Sequence, residues 1–325
     1  MIYRLKLMIL IGLFGSAVKA QQLPLYSQYT MNRFLLNPAV AGTSGFTTIS
    51  LTAREQWVGF KGTPKTHSIT IDSKLFPDSY ILKNIPIRKN EKKSTRAGKI
   101  GVGAHIYNDH NGPIDRTGIE GAYAYHVELD KILVSMGVSI NFFQMHLSKE
   151  KLIMSDEDYD DLIDGGKKSL YIPDANIGIF AISKNYYAGL SMMNAFQSSV
   201  QFGNSSLDNY RLKRQYNLMG GYEYQLNENL YLQPSLLFKV PEGSKAQLDV
   251  QMRVNIRKEF WAGMTFRTGS AMCVFGGAKI DRYYIGYAYD YNFNSLMNHT
   301  YGSHEIMAAV KLGDTARRLK WLNEY

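Results

Sequence analysis

The chain has a single cysteine, Cys273, so it can build neither a disulfide framework nor a cysteine-based zinc or iron–sulfur centre. It has only 9 prolines in 325 residues and no Pro-rich, Gly/Ser-rich or other low-complexity tract, so no linker divides it. No long apolar run follows the first twenty residues, which excludes a bundle of transmembrane helices. Catalytic signatures are missing too. The 7 histidines include no HExxH pair, and there is no G-x-S-x-G elbow. Gly166-Lys167 lacks the other residues of a phosphate loop, and Gly101 and Gly103 lack the third glycine of a dinucleotide fingerprint. Cys273 reads as a small packing residue rather than a nucleophile. Neither an enzyme nor a cofactor or metal site is expected.

What is present begins with a targeting signature. Arg4 and Lys6 precede an apolar stretch from Leu7 to Val18, and Val18 and Ala20 suit a signal peptidase that cuts before Gln21. The chain is basic, with 37 Lys and Arg against 28 Asp and Glu. Removing Arg4, Lys6 and Lys19 leaves it so. A basic excess can signal nucleic acid, but an exported chain rarely meets any. The hydrophobic content of 45%, with 13% aromatics, is too high for a disordered chain.

The rest is a series of period-2 segments. Between Ala246 and Arg257, Leu248, Val250, Met252, Val254 and Ile256 alternate with Gln247, Asp249, Gln251, Arg253, Asn255 and Arg257. Successive strand side chains point to opposite faces, so one face is apolar and the other polar. About fourteen such segments can be marked, an even number as bacterial outer-membrane barrels require. They are Phe46–Arg54, Thr66–Phe76, Lys99–Asn108, Arg116–Glu128, Lys131–Leu147, Asp174–Ser183, Asn185–Met193 and Arg214–Leu226. Asn229–Val240, Lys245–Arg257, Glu259–Thr268, Ala271–Lys279, Arg282–Asn292 and Gly302–Leu312 complete them. Many suit a tilted membrane strand of about 9–11 residues better than the usual soluble strand of about 5–6. A secreted soluble sandwich would also alternate, but would not need such lengths.

Connections alternate between very short (Leu129–Asp130, Lys184, Asn227–Glu228, Lys258, Ile280–Asp281) and longer (Glu55–Lys65, Asp109–Asp115, Ser148–Pro173, Ala195–Lys213, Phe293–Tyr301). This is the layout of periplasmic turns and outer loops, and it puts both termini on the periplasmic side. Pro77–Gly98 is the exception, long yet on the periplasmic rim. The expected division is a signal peptide at 1–20, a partial plug at 21–44, an antiparallel transmembrane β-barrel at 45–312 and a periplasmic tail at 313–325. The plug is expected because Leu23, Leu25, Tyr26, Tyr29, Phe34, Leu35 and Leu36 make a stretch too apolar to hang in water. Pro234 should cost its strand a bulge or a ladder hydrogen bond.

Charge is sorted. Asp72, Glu120, Glu223, Asp249, Arg253, Arg257, Arg267, Asp290 and Glu305 fall in or near polar phases, so cross-strand ion pairs should stiffen the lumen. The acids from Asp156 to Asp164 read as a solvated outer loop. Their spacing is partly that of a calcium loop, but Asp161 and Lys167 replace the Gly and Glu it needs. Lys92, Lys93 and Arg96 on the long periplasmic connection, with Arg317, Arg318 and Trp321 in the tail, are candidates for binding an acidic periplasmic partner.

Several short blocks carry a resemblance. Gln28-Tyr29, Asn37-Pro38, Gln56-Trp57 and Pro64 lie in the first part of the mature chain; Tyr287, Asp290, His304 and Glu305 lie near its end. In this order they resemble the PorP/SprF family of type IX secretion system membrane proteins. Gln22 departs from the acidic residue usual there, and Glu55 from a neutral one. The resemblance implies an outer-membrane barrel, not an enzyme, that serves protein export and in some bacteria gliding adhesins. Some members associate with a periplasmic lipoprotein ring; others pair with a secreted substrate through its C-terminal domain. The competing reading is an outer-membrane diffusion channel or small-molecule transporter.

Overall fold

The computed structural model describes residues 24–60, 62–75, 99–147, 169–201, 209–269, 271–293 and 300–313. The strands are β1 Thr47–Glu55, β2 Lys65–Leu75, β3 Ile100–Asn111, β4 Ile114–Leu129, β5 Ile132–Leu147, β6 Ser169–Ser183 and β7 Tyr186–Met193. A short hairpin follows, β8 Ser199–Gln201 and β9 Asn209–Arg211. Then come β10 Gln215–Tyr222, β11 Tyr224–Asn227, β12 Leu230–Pro241, β13 Gln247–Ile256, β14 Phe260–Arg267, β15 Ala271–Ile280, β16 Tyr283–Asn292 and β17 Ser303–Leu312.

Successive wall strands pair antiparallel, while β8 and β9 pair only with each other in a separate two-stranded sheet. β1 also pairs with β17, from Thr47 opposite Leu312 to Glu55 opposite His304, and β10 pairs with both β7 and β12. The sheet is therefore closed. β10 and β11 are two halves of one strand, so the barrel has 14 strands. All fourteen expected segments are present.

The wall is inside-out relative to a soluble protein. On β13, Val250 and Met252 are exposed at 42% and 41%, whereas Asp249, Gln251 and Arg253 between and beside them are buried. A closed sheet satisfies every backbone group, so its apolar face can meet hydrocarbon. The β4–β5 turn at Asp130-Lys131 and the β15–β16 turn at Asp281-Arg282 begin at positive φ, as tight hairpin turns of the right twist require.

Four details differ from expectation. β3 and β4 run on to a two-residue turn at Gly112-Pro113, so the expected longer loop at Asp109–Asp115 is strand. β6 starts at Ser169 rather than Asp174, and the β8–β9 hairpin occupies part of the expected loop at Ala195–Lys213. Arg257 does not face the lumen: it lies exposed in the β13–β14 turn with φ 52°. Pro234, by contrast, meets its expectation through a lost ladder bond rather than a bulge. Gly221 opposite Ser235 and Tyr224 opposite Leu232 keep one register, but the ladder between them is unpaired, because proline has no N–H to give.

Candidate functional site: the occupied lumen

Residues 24–46 run through the barrel. Ser27 sits beside Arg54, Asp290 and Glu305, all near the long-loop ends of β1, β16 and β17. Asn32 donates to Thr70 lower down β2 at 2.8 Å, and the Gly42 N–H donates to Asp72 at 3.0 Å, nearer the other rim. The chain then enters β1 at the short-turn rim. The first described residues, from Pro24, thus lie at the long-loop end. The expectation that both termini lie on one rim concerns residues outside the described ones.

Polar contacts hold the segment because the lumenal phase is polar. Asn37 donates to the carbonyls of Ile179 and Leu190 (3.0 and 3.1 Å) and accepts from the Ala39 N–H, capping the 3-10 turn Pro38–Val40. The Leu36 carbonyl accepts from Ser191 and Asn217. Tyr29 donates its hydroxyl to Ser235, and Gln251 donates to Thr30. Apolar packing adds to this: Tyr29, Leu36 and Ala39 join Leu133, Phe180, Ile182, Tyr187, Met219 and Leu237 in one cluster. Two wall glycines make room. A Cβ on Gly101 would overlap the Ala41 carbonyl, and one on Gly137 would overlap the backbone of Ala39.

At the long-loop end the expected cross-strand ion pairs exist and form a chain of alternating sign. Lys239 lies 3.5 Å from Asp249, which pairs with Arg267 at 3.2 Å. Arg267 reaches Asp290 at 3.3 Å; Asp290 pairs with Arg54 at 2.7 Å; Arg54 reaches Glu305 at 3.3 Å. Every member is buried. Charges taken from water are tolerable only when paired and hydrogen-bonded. The plug completes the chain: the N–H groups of Ser27 and Gln28 donate to Glu305 at 2.7 and 2.9 Å. Arg54 and Lys239 were not among the expected lumenal charges. Their signal is their phase, with Ser50 and Thr52 on β1 and with Gln233 and Ser235 on β12.

The structure thus gathers Gln28, Asp290 and Glu305 of the motif residues at one place. Gln56 and Pro64 close the β1–β2 loop by a 2.9 Å backbone bond, and the Trp57 N–H donates to Ser303. Asn37 and Pro38 form a separate anchor at mid-lumen. Tyr287 and His304 pair at 2.6 Å on the outward face, away from both. Cys273 is buried, opposite Thr265 and Asp290, in a cluster that runs through Phe275 toward Trp261 and Tyr284. The signal segment 1–20, the acids Asp156–Asp164, the basic residues Lys92, Lys93 and Arg96, and Arg317, Arg318 and Trp321 lie outside the described residues.

Among the described residues a cavity lies on each side of the segment. One of about 130 Å³ opens toward the short-turn rim, and one of about 80 Å³, lined by His105, Glu120 and Lys239, lies toward the long loops.

A closed antiparallel barrel with an apolar outer wall and a self-filled polar lumen defines a barrel membrane protein of outer-membrane type. The chain belongs to the PorP/SprF family of type IX secretion system membrane proteins, whose family model matches residues 18–310. No curated protein matches it. Solved structures of similar shape include the outer membrane protein Omp33 of Acinetobacter baumannii, with 8% identity and a TM-score of 0.43 over 83% of this chain and 100% of that one. The KdgM porin gives 8% and 0.34 over 82% and 99%. CdiB from Acinetobacter baumannii gives 8% and 0.40 over 82% and 60%.

Proposed function

We propose that this protein is a plugged outer-membrane scaffold of the type IX secretion system, which docks other proteins rather than passing small solutes. Its short-turn rim faces the periplasm and binds a ring lipoprotein through the basic connection bearing Lys92, Lys93 and Arg96 and the tail bearing Arg317, Arg318 and Trp321. Its long-loop rim faces outward, where a secreted substrate's C-terminal domain can be held during export or anchoring, gliding adhesins included. A cleaved signal peptide, residues 1–20, delivers it.

One observation carries the reading: the segment from Pro24 to Phe46 fills the lumen and is bonded to strands around the wall. A lumen built to hold its own chain is a poor conduit. The test is co-purification from native membranes. A periplasmic lipoprotein or an exported C-terminal domain should come down with wild type. Charge reversal at Lys92, Lys93 and Arg96 should release the lipoprotein, and more readily at high salt. A reversal that leaves every periplasmic companion bound refutes the rim assignment.

A further inference from the structure

The cavity at the short-turn mouth has a sign. Arg33, Arg253, Lys258, Lys279 and Lys311 line it against two acids, Asp72 and Glu223. Its walls hold those cations over aromatic rings: Lys258 lies 5.1 Å from the Tyr231 ring, and Lys279 and Lys311 lie 5.6 and 4.7 Å from Tyr284. Two strands, β15 and β17, thus aim ammonium groups at one tyrosine of the strand between them. Asp72 already accepts the Gly42 N–H.

A tryptophan stands beside the cavity. Trp261 also lines the cavity and is only 7% exposed, yet its indole N–H has no hydrogen-bond partner. A buried donor without an acceptor costs about 1–3 kcal/mol. The ring lies beside the cavity and can report what enters it, and the cations around the cavity favour the ionised form of a carboxylate there. Size limits the occupant. An engineered apolar cavity of about 150 Å³ takes one benzene, so about 130 Å³ holds one side-chain-sized group and not a folded segment. The strand ends that flank the basic connection, at Leu75 and Lys99, lie at the same rim.

We propose that this mouth is a socket for one acidic side chain, Asp or Glu, presented by the periplasmic partner. The assignment rests on the docking reading above and deepens it: the rim charges steer the partner and the socket fixes its register.

The test uses the full mature protein in nanodiscs, unmodified for affinity and, in parallel, with Trp57→Phe and Trp321→Phe so that Trp261 is the sole emission reporter. A poly-glutamate peptide is titrated at low salt, with poly-glutamine as control. Binding should shift Trp261 emission. The variant Lys258→Gln, Lys279→Gln, Lys311→Gln should bind about tenfold more weakly, since each lost charge contact at such a mouth is worth a fraction of 1.4 kcal/mol. Heat-modifiable migration on gels checks that the variant barrel is folded. Unchanged affinity in that variant, with binding abolished by reversal at Lys92, Lys93 and Arg96, overturns the socket and leaves the rim reading intact. No peptide binding to the unmodified protein overturns both. Inorganic phosphate that shifts Trp261 where the peptide does not overturns the side-chain assignment, because the site then takes a small free anion.

Discussion

Arg54 and Asp290 form a 2.7 Å ion pair with side chains 2% and 1% exposed, and the Ser27 hydroxyl of the plug is bonded to both. The same two residues therefore join wall to wall and wall to plug. Asp290→Ala should leave Arg54 and Arg267 buried without that acceptor, which costs about 3–5 kcal/mol in comparable buried pairs. Urea titration of the barrel in lipid vesicles measures it. Arg54→Met should be costly as well, and the double variant should cost less than the two summed, with a coupling of at least about 1 kcal/mol. Additive losses would show that the pair does not act as a unit.

The wall glycines make a separate prediction. Gly137→Val should expel the plug, because its Cβ would overlap the backbone of Ala39, which no rotamer change can move. Gly121→Ala is the control, with nothing within 4 Å of its added Cβ. Hydrogen exchange of residues 24–46 should rise sharply in the first and stay at the wild-type level in the second. Equal protection in both would mean that the segment does not need the recess.

Deleting residues 24–44 should turn a silent barrel into a conducting one. The segment fills the lumen between cavities of about 130 and 80 Å³, and without it a 14-stranded barrel retains a polar, wettable interior. Planar-bilayer recording decides. Steady conductance from the wild type would favour the diffusion channel over the plugged scaffold.

Much of this architecture is legible in the residues, for a local reason. Alternation such as Val250, Gln251, Met252, Arg253 is set within a strand and survives whatever the strand packs against, so all fourteen strands can be marked within a few residues, apart from the early start of β6. The apolar stretch Leu23–Leu36 likewise announces a buried segment. Its direction is not legible. That depends on which wall groups it meets: Glu305 for the N–H groups of Ser27 and Gln28, the Ile179 and Leu190 carbonyls for Asn37. These partners lie more than a hundred residues away in the chain. Arg54 escapes notice for a related reason. It ends the segment Phe46–Arg54, in phase with Ser50 and Thr52, and a charge at a strand end reads as rim until Asp290 and Glu305 arrive across the barrel.

The outward face supplies the sharpest test of the membrane reading. Ile140 sits in the middle of β5 with 67% of its surface exposed, flanked by the buried Ser139 and by Asn141. In water an exposed isoleucine can become arginine with little effect, usually within about 0.5 kcal/mol either way. In hydrocarbon the same change strands a charge, at about 2–4 kcal/mol near the bilayer midplane and about 0–1 near the interfaces. Ile140→Arg should therefore lower the urea midpoint in vesicles clearly, whereas Ile280→Arg, 65% exposed at the short-turn end of β15, should barely move it. The contrast separates depth from simple exposure, since the two side chains are equally uncovered. Equal, near-zero shifts for both would mean that this face meets water.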